Sequence, residues 1–409
     1  MKTTRQAFQA TLRTQLFNSS AFRKREINAL VAILTSAIGS PTFSLNKVAK
    51  RAKPGFSRNF LAKCLMKYAY VQRALANQWF TDIISNIPRQ KTILLAFDDT
   101  LVNKCGKHIQ GAYAWFDHTC GRVKTSLCLV NVSLVINDQL IFVLPWLLRK
   151  PQFTRSNGRK AHKEQDAKTL AAIEMIRNIF SWLERGGIPE TQIVVAADAW
   201  YANQTMQTFI KQTAANFRLD ARSNLSVQCP DYKAIKTRNK RRRGRKRHKF
   251  VRYVPLKQFM ADSTHWHFFT DSVSGERVFY RKATLTLKTA GRVTCYAFRR
   301  EPLVKPKYIL TRAFQVKSAT PQRVYREYQS RWRIEEAHRD LKQQFGLSKC
   351  QARHAWVVSG FIGLIYFGYC VWKTDRWLHP HAELEPLKCP SWAEEFHREQ
   401  IYQEALAMS

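Results

Sequence analysis

The stretch RWRIEEAHRDLK, residues 331–342, places two adjacent glutamates among three arginines and a lysine. Its apolar residues recur at helical spacing, and at about 100° per residue they gather on a face that can pack against a sheet. Beside that face, one narrow stripe collects four polar side chains: Tyr328, Arg331, Glu335 and Lys342. The pattern predicts a helix that packs on a sheet and presents one acid, Glu335, between cations.

The stripe has two interpretations. A ladder of ion pairs between residues four apart is the simpler one, at about a few tenths of a kcal/mol per pair. The other is a metal-binding carboxylate flanked by cations that bind phosphate.

The overall charge favours a polyanionic partner. Of the 409 residues, 68 are Lys or Arg and 29 are Asp or Glu, for a net charge of +39. Nucleic acid is the first candidate, because each neutralised phosphate releases counterions. A membrane surface is the weaker candidate, because the sequence contains no basic amphipathic helix with a matching apolar face. The nine cysteines are odd in number and lack C-x-x-C spacing, so we expect a reducing cytoplasm and no disulfide framework or thiolate zinc site.

Residues 1–90 are predicted to be helical and basic. Within them, residues 44–65 predict two short helices, with Ser44 and Ser57 as N-caps and a break at Lys53-Pro54-Gly55. A DNA-reading helix-turn-helix is one interpretation, favoured by the charge. A plain helical hairpin is the other.

Residues 91–223 predict a mixed α/β sheet. The apolar runs at 92–97, 126–136 and 140–148 predict strands, the last two joined by a tight turn. A helix at 164–187 and a further strand at 192–200 follow.

The remaining chain divides into three segments. Residues 224–306 predict a β-rich insertion that contains a basic loop at 233–249. The α/β texture returns at 307–375, where the apolar run 356–372 is shorter than the roughly 20 residues a membrane span needs, so we expect a buried helix. Residues 376–409 are predicted to be a C-terminal tail that contributes dimer contacts.

Acids at strand ends are the candidate metal ligands. Asp98 and Asp99 end one apolar run and Asp198 ends another, and ligands of open α/β sheets bind at such ends. Each Asp alone is more simply a cap of the next element. Together with Glu335 they form a set that can hold two Mg²⁺ ions.

These residues resemble the bacterial insertion-sequence DDE transposases that have a Y-R-E-K signature. Tyr328, Arg331, Glu335 and Lys342 match its spacing without a gap, and VVAADAW, residues 194–200, resembles the motif around the second aspartate, Asp198. The first aspartate of the family precedes a Ser or Thr by two positions, which favours Asp98, with Asp99 as the alternative. The resemblance covers roughly residues 91 to 375.

The resemblance implies a ribonuclease H-like catalytic domain interrupted by the insertion. It implies a homodimer that synapses two transposon ends, cuts with Mg²⁺ (or Mn²⁺) and joins the freed 3′-hydroxyls to target DNA. Some members stack a flipped base on an aromatic near the end of the insertion; Tyr308 lies there, with a core aromatic as the alternative.

The predicted DNA contacts extend beyond the signature. Arg222 is a candidate phosphate ligand, and the basic loop is predicted to follow the DNA backbone without reading sequence. Its candidate cations are Arg241, Arg242, Arg243, Arg245, Lys246 and Arg247.

Two rival functions remain open. A non-catalytic DNA-binding protein descended from a transposase has no need of three acids in a DNA-facing cleft. A ribonuclease H-like nuclease that cuts without joining would use the same metal site. The expected location of the protein is the bacterial cytoplasm, at the nucleoid, with no membrane partner.

Overall fold

The fold comprises two compact units, Met1–Pro189 with Trp332–Ser409 and Glu190–Arg331. Both contain helices and strands, so the predicted α/β class is confirmed. The computed structural model describes residues 4–38, 43–51, 55–87, 92–104, 108–117, 120–148, 160–228, 253–263, 265–312, 320–350, 352–378 and 393–394.

The first unit begins with four helices. Both predicted N-caps are confirmed: the Ser44 hydroxyl accepts a hydrogen bond from the Lys47 N–H (3.2 Å), and the Ser57 hydroxyl accepts one from the Phe60 N–H (3.1 Å). These bonds satisfy amide groups that have no partner inside a helix. The four helices are α1 (Thr4–Asn18), α2 (Lys24–Ala37), α3 (Leu45–Arg51) and α4 (Arg58–Ile84).

An antiparallel sheet follows in the same unit. Its strands are β1 (Ile93–Asn103), β2 (Tyr113–Asp117), β3 (Arg122–Ile136) and β4 (Gln139–Leu148). The longest strand, β3, pairs with β1 on one side and with β2 and β4 on the other. The helices that complete the unit are α5 (Lys160–Arg185), α9 (Arg333–Gln343) and α10 (Ala355–Leu378).

The turn between β3 and β4 is the predicted tight hairpin connection. Asn137 and Asp138 both have positive φ, 51° and 62°. Two consecutive positive φ angles define the type I′ turn, whose twist matches that of the flanking strands. The turn therefore fixes the register of the hairpin.

The second unit contains a sheet in which β5 and β6 are parallel and the other pairs are antiparallel. Its central order is β5-β6-β12-β11-β10, with β7 and β9 paired to β10 and β8 paired to β7. The elements are β5 (Ile193–Ala197), α6 (Gln204–Gln212), β6 (Asn216–Ala221), β7 (Ser226–Gln228), β8 (Tyr253–Pro255), α7 (Leu256–Ser263), β9 (His267–Thr270), β10 (Arg277–Leu287), β11 (Gly291–Arg299), β12 (Lys307–Arg312) and α8 (Pro321–Gln329).

The helix predicted around residues 331–342 is divided. α8 ends at Gln329, a 3-10 turn occupies Ser330–Trp332, and α9 starts at Arg333. The ψ angles near −20° at Ser330 and Trp332 are those of a 3-10 helix, which has three residues per turn. Glu335 and Lys342 therefore share one helix, whereas Tyr328 belongs to α8.

The apolar run 356–372 forms most of α10, and the prediction of a buried helix is confirmed. Residues Ala355–Asp375 are long and apolar enough to cross a membrane, but 83% of their most apolar window is buried inside the structure. α10 packs against α4 at very short range: a Cβ placed on Gly360 would lie 1.9 Å from the Leu65 carbonyl oxygen. Glycine is required here by the close approach of two backbones.

We expect Gly360→Ala to destabilise the first unit by about 1–3 kcal/mol, because a backbone carbonyl cannot move aside without separating α4 from α10. Urea unfolding monitored by circular dichroism measures the change. Gly363→Ala is the matched control on the same helix. Its Cβ would meet the amide end of Gln72, a flexible side chain that can move. Equal loss in both variants would contradict the proposed role of the backbone contact.

Candidate functional site

The two adjacent aspartates of β1 lie on opposite faces of the sheet in the first unit. Asp98 is paired with Asn131 of β3, and Asp99 is paired with Val130. Directly opposed residues of an antiparallel pair share a face, and successive residues alternate. Asp98 and Asn131 therefore share one face, and Asp99 is on the other.

Asp99 is engaged on its own face by α5. Its Oδ2 accepts a hydrogen bond from the Lys168 ammonium at 2.8 Å. Lys168 is 7% exposed, and its Nζ lies 5.5 Å from the centre of the Trp115 ring. Such a poorly solvated ammonium requires a nearby carboxylate, and Asp99 supplies it.

The Asp98 face is covered by α9. Asn131 is fully buried; its Nδ2 donates to the Leu129 carbonyl oxygen (3.2 Å) and lies 2.9 Å from Nε2 of His338. With Nδ2 as the donor, the histidine nitrogen is the acceptor. His338 is one helical turn beyond Glu335, so this contact ties the helix of Glu335 to the strand pair of Asp98.

Lys342 of α9 lies within the electrostatic influence of three aspartates of the first unit. Burial lowers the pKa of the Lys342 ammonium, whereas the charges of Asp117, Asp98 and Asp99 act to raise it. Glu335 is half-buried on the same helix. Helix α9 thus brings an acid and a partly desolvated ammonium toward the strand of Asp98.

The second glutamate of the pair has a different environment. The Glu336 carboxylate accepts a hydrogen bond from Arg333 at 2.8 Å, and Arg333 also donates to the Asp138 carbonyl oxygen at 2.8 Å. Glu336 thus belongs to a half-exposed ion pair with Arg333, which joins α9 to the β3–β4 turn.

In the second unit, Asp198 and Arg222 follow two parallel strands. Asp198 comes directly after β5, and its Oδ1 accepts a hydrogen bond from the Trp200 N–H at 3.1 Å. Arg222 follows β6, is exposed, and has its guanidinium 5.8 Å from the centre of the Trp200 ring. Because β5 and β6 are parallel, both residues lie at the same edge of this sheet.

Tyr328 and Arg331 form a buried group in the second unit. The Tyr328 hydroxyl donates to Asp220 Oδ2 at 3.1 Å, and the Arg331 guanidinium lies 5.6 Å from the Tyr328 ring centre. Burial raises the pKa of Tyr328, as it raises the pKa of Asp220. Tyr328 also belongs to the core cluster around Phe269 and Phe298. The tyrosine therefore supports Arg331 from within the core.

Two further predictions have plain outcomes. Tyr308 is 6% exposed, which confirms the interpretation as a core aromatic. The six cations of the basic loop, Arg241, Arg242, Arg243, Arg245, Lys246 and Arg247, lie outside the described residues.

Three site residues were not predicted from the sequence: Asn131, Lys168 and His338. Asn131 carried a usable signal, because it is a polar residue within the apolar run SLCLVNVSLVI, residues 126–136. Lys168 had a weaker signal, as a cation inside an amphipathic helix. His338 had no signal in the sequence beyond its position within residues 331–342.

We expect Asn131→Leu to destabilise the first unit by about 1–3 kcal/mol, because the Leu129 carbonyl and the His338 ring lose a buried donor. Chemical denaturation gives the value. Asn86→Leu is the control: the side-chain amide of this exposed asparagine, just after α4, donates to the Asp82 carbonyl oxygen at 3.0 Å. Its loss should cost less than about 0.5 kcal/mol. A neutral Asn131→Leu would mean that its contact with α9 adds no stability.

Comparison with known proteins identifies the family to which the chain belongs. No curated protein matches the chain. The family model of the DDE superfamily endonucleases matches residues 14–268, more than half of the chain. The match includes both Asp98 and Asp198 and ends before Glu335. The chain belongs to the DDE superfamily endonuclease family.

Proposed function

We propose that the protein is a DNA transposase of the Y-R-E-K group, encoded by an insertion sequence. It cuts at the ends of the element and joins the freed 3′-hydroxyls to target DNA. Membership in the DDE endonuclease family supports DNA as the substrate and nuclease chemistry as the reaction. The unbroken spacing of Tyr328, Arg331, Glu335 and Lys342 supports the finer assignment.

The observation that carries the proposal is the contact between Asn131 and His338. It sets α9, with Glu335 and Lys342, over the sheet face that Asp98 shares. Asp99 is on the other face and is paired with Lys168. This difference favours Asp98 over Asp99 as the first catalytic acid, and we propose Asp98, Asp198 and Glu335 as the catalytic and metal-binding carboxylates.

The donor set fits a hard divalent cation. DDE superfamily endonucleases generally use divalent metal ions, and carboxylate oxygens are the ligands that Mg²⁺ and Mn²⁺ prefer. Within either unit, no group of three or more His, Cys, Asp or Glu side chains is gathered into a metal site in the described part of the chain. Asp98, Asp198 and Glu335 are half-buried. When bound, two Mg²⁺ ions would activate water or a 3′-hydroxyl and stabilise the leaving oxygen.

The cations of the signature have phosphates as their proposed ligands. Lys342 would hold a phosphate beside the acids, since its ammonium is partly desolvated and attracts an anion strongly. Arg331 would bind a neighbouring phosphate with the fork of its guanidinium, while Tyr328 orients that side chain from the core. Arg222, exposed beside Trp200, would bind a third.

Binding and assembly follow from the same proposal. We propose that the N-terminal helices α3 and α4 recognise the transposon ends, and that the basic loop at 233–249 follows the backbone. A homodimer would hold two ends in a synaptic complex. The proposed domains are residues 1–90, 91–223, 224–306, 307–375 and 376–409, and the proposed location is the bacterial cytoplasm, at the nucleoid.

Glu335→Gln should abolish both DNA nicking and joining, with a loss of at least about a thousandfold, because the amide removes the charge that holds the metal. DNA binding should persist. The assay is Mg²⁺-dependent cleavage and strand transfer on duplexes that carry the element's own ends.

Glu336→Gln is the matched control, since it makes the same change one residue away in an ion pair with Arg333. Its activity should stay within about threefold of wild type. Full activity of Glu335→Gln would refute the assignment of Glu335. Nicking without joining by the wild type would favour a nuclease, and DNA binding without either reaction would favour a non-catalytic protein.

The two aspartates of β1 should respond differently. We expect Asp98→Asn to lose at least about a thousandfold in rate, and Asp99→Asn to lose less than about tenfold while becoming less stable, because Lys168 loses its carboxylate partner. Single-turnover cleavage and thermal unfolding of both variants test this. The reverse ranking in rate would assign Asp99 as the catalytic acid.

A further inference from the structure

The β-sheet of the second unit has two chemically different faces. On one face, Phe269, Val278 and Phe298 pack with α8 in the core cluster. The strand register places alternate residues on the other face: Phe279 of β10 is opposite Phe268 of β9 and Arg299 of β11. Because side chains alternate between the two faces of a strand, Arg277 and Arg281 of β10 share this second face with Phe279.

This second face holds arginines stacked on aromatic rings. The guanidinium carbon of Arg299 lies 3.9 Å from the centre of the Trp266 ring, and that of Arg281 lies 4.6 Å from the same ring. The guanidinium carbon of Arg277 lies 4.8 Å from the centre of the Phe268 ring. We call this set the Trp266 face: Trp266, Phe268, Arg277, Arg281 and Arg299.

In the part of the chain that the structure describes, no acid is paired with an arginine of the Trp266 face. Among residues whose side chains the structure describes, neither Arg281 nor Arg299 forms an ion pair; Arg281 donates to the carbonyl oxygens of Met260 and Ala261, and Arg299 donates to that of Pro302. Their Nε atoms are buried and have no hydrogen-bond partner within the described part of the chain. Burial and then the charge of Arg281 lower the pKa of Arg299. An anion would relieve this repulsion.

The aromatic component distinguishes between kinds of nucleic acid. The Phe268 side chain is 59% exposed on the sheet surface, beside Arg277. In a duplex the faces of the bases are stacked on one another, whereas an unpaired base can stack on an exposed ring. A planar guanidinium held against a ring keeps its edge available for a phosphate. Cations and an exposed ring together fit an unpaired strand.

We propose that the Trp266 face is a binding surface for single-stranded DNA, with phosphates on Arg281 and Arg299 and a base on Phe268. The inference rests on the proposed function for its biological role, because that function makes DNA the substrate. None of its five residues is among the proposed catalytic acids or the cations of the basic loop. Its binding is measurable without any cleavage.

The test is fluorescence anisotropy of the full-length protein with a labelled 20-nucleotide single strand and with the matching duplex, over a series of salt concentrations without divalent metal. Arg281→Gln combined with Arg299→Gln should weaken single-strand binding at least about tenfold. It should also reduce the salt slope by about 1.4, for two lost phosphate contacts. Phe268→Ser should weaken binding about fivefold or more at an unchanged slope.

Arg292→Gln is the matched control. It removes one arginine charge from the exposed start of β11, on the strand that holds Arg299, and by strand alternation it belongs to the opposite face. It should leave the salt slope unchanged. Melting temperatures and circular dichroism show whether each variant folds. If the double arginine variant does not fold, the exposed residues of Phe268→Ser and Arg277→Ala give the same test.

Three results would overturn the proposal. The first is single-strand affinity and salt slope equal to those of wild type in folded variants. The second is a loss that appears only with the duplex, which would make the face a duplex contact. The third is an equal loss in Arg292→Gln, which would reduce the effect to net charge. A failure of the catalytic assignment would instead appear as absent cleavage with single-strand binding retained.

Discussion

The register of β1 against β3 is the constraint on which the candidate acid site depends. With Asp98 opposite Asn131, one aspartate shares the face that α9 covers and the next shares the face of α5. A shift of one residue would exchange the two acids, because side chains alternate along a strand. The type I′ turn at Asn137 and Asp138 fixes the β3–β4 register, and Arg333 of α9 bonds to that same turn.

Close packing between helices α10 and α4 also supports the first unit. Gly360 lets the backbone of α10 approach Leu65 of α4, and the buried surface of α10 is apolar on nearly every side. A helix of this composition is suited to a membrane or to a protein core, and the surrounding contacts show that it lies in a core. It also bonds to the site region, since the Tyr369 hydroxyl donates to Asp340 of α9 at 3.3 Å.

The two faces of the sheet in the second unit hold charged side chains in different environments. On the α8 face, the buried Arg218 is paired with Glu327 at 2.6 Å, and Asp220 accepts a hydrogen bond from Tyr328, so both of these buried charges have partners. On the Trp266 face, the guanidinium groups lie on aromatic rings and bond to backbone carbonyls. Ion pairs fix structure within the fold. Arginines without acidic partners remain able to bind an external anion.

The sequence by itself determined the mixed α/β class, the strands at β1, β3, β4 and β5, the capped N-terminal helices and the buried helix α10, and its charge led to the expectation of a polyanionic partner. These features depend on local periodicity, caps and net charge, which can be read without a fold. The same holds for the strand-end position of Asp198 and the spacing from Tyr328 to Lys342. The sequence could not separate Asp98 from Asp99, because apolar residues fill both faces of residues 92–97.

Only the tertiary structure separated the environments of these two aspartates, because facing α5 or α9 is a property of packing between distant segments. It also divided the helix at Ser330–Trp332, placed Tyr328 in a core and paired Lys168 with Asp99. The stacking of Arg281 and Arg299 on one indole likewise joins residues 15 and 33 positions from Trp266. Such contacts arise from strand register, which no local pattern in the chain specifies.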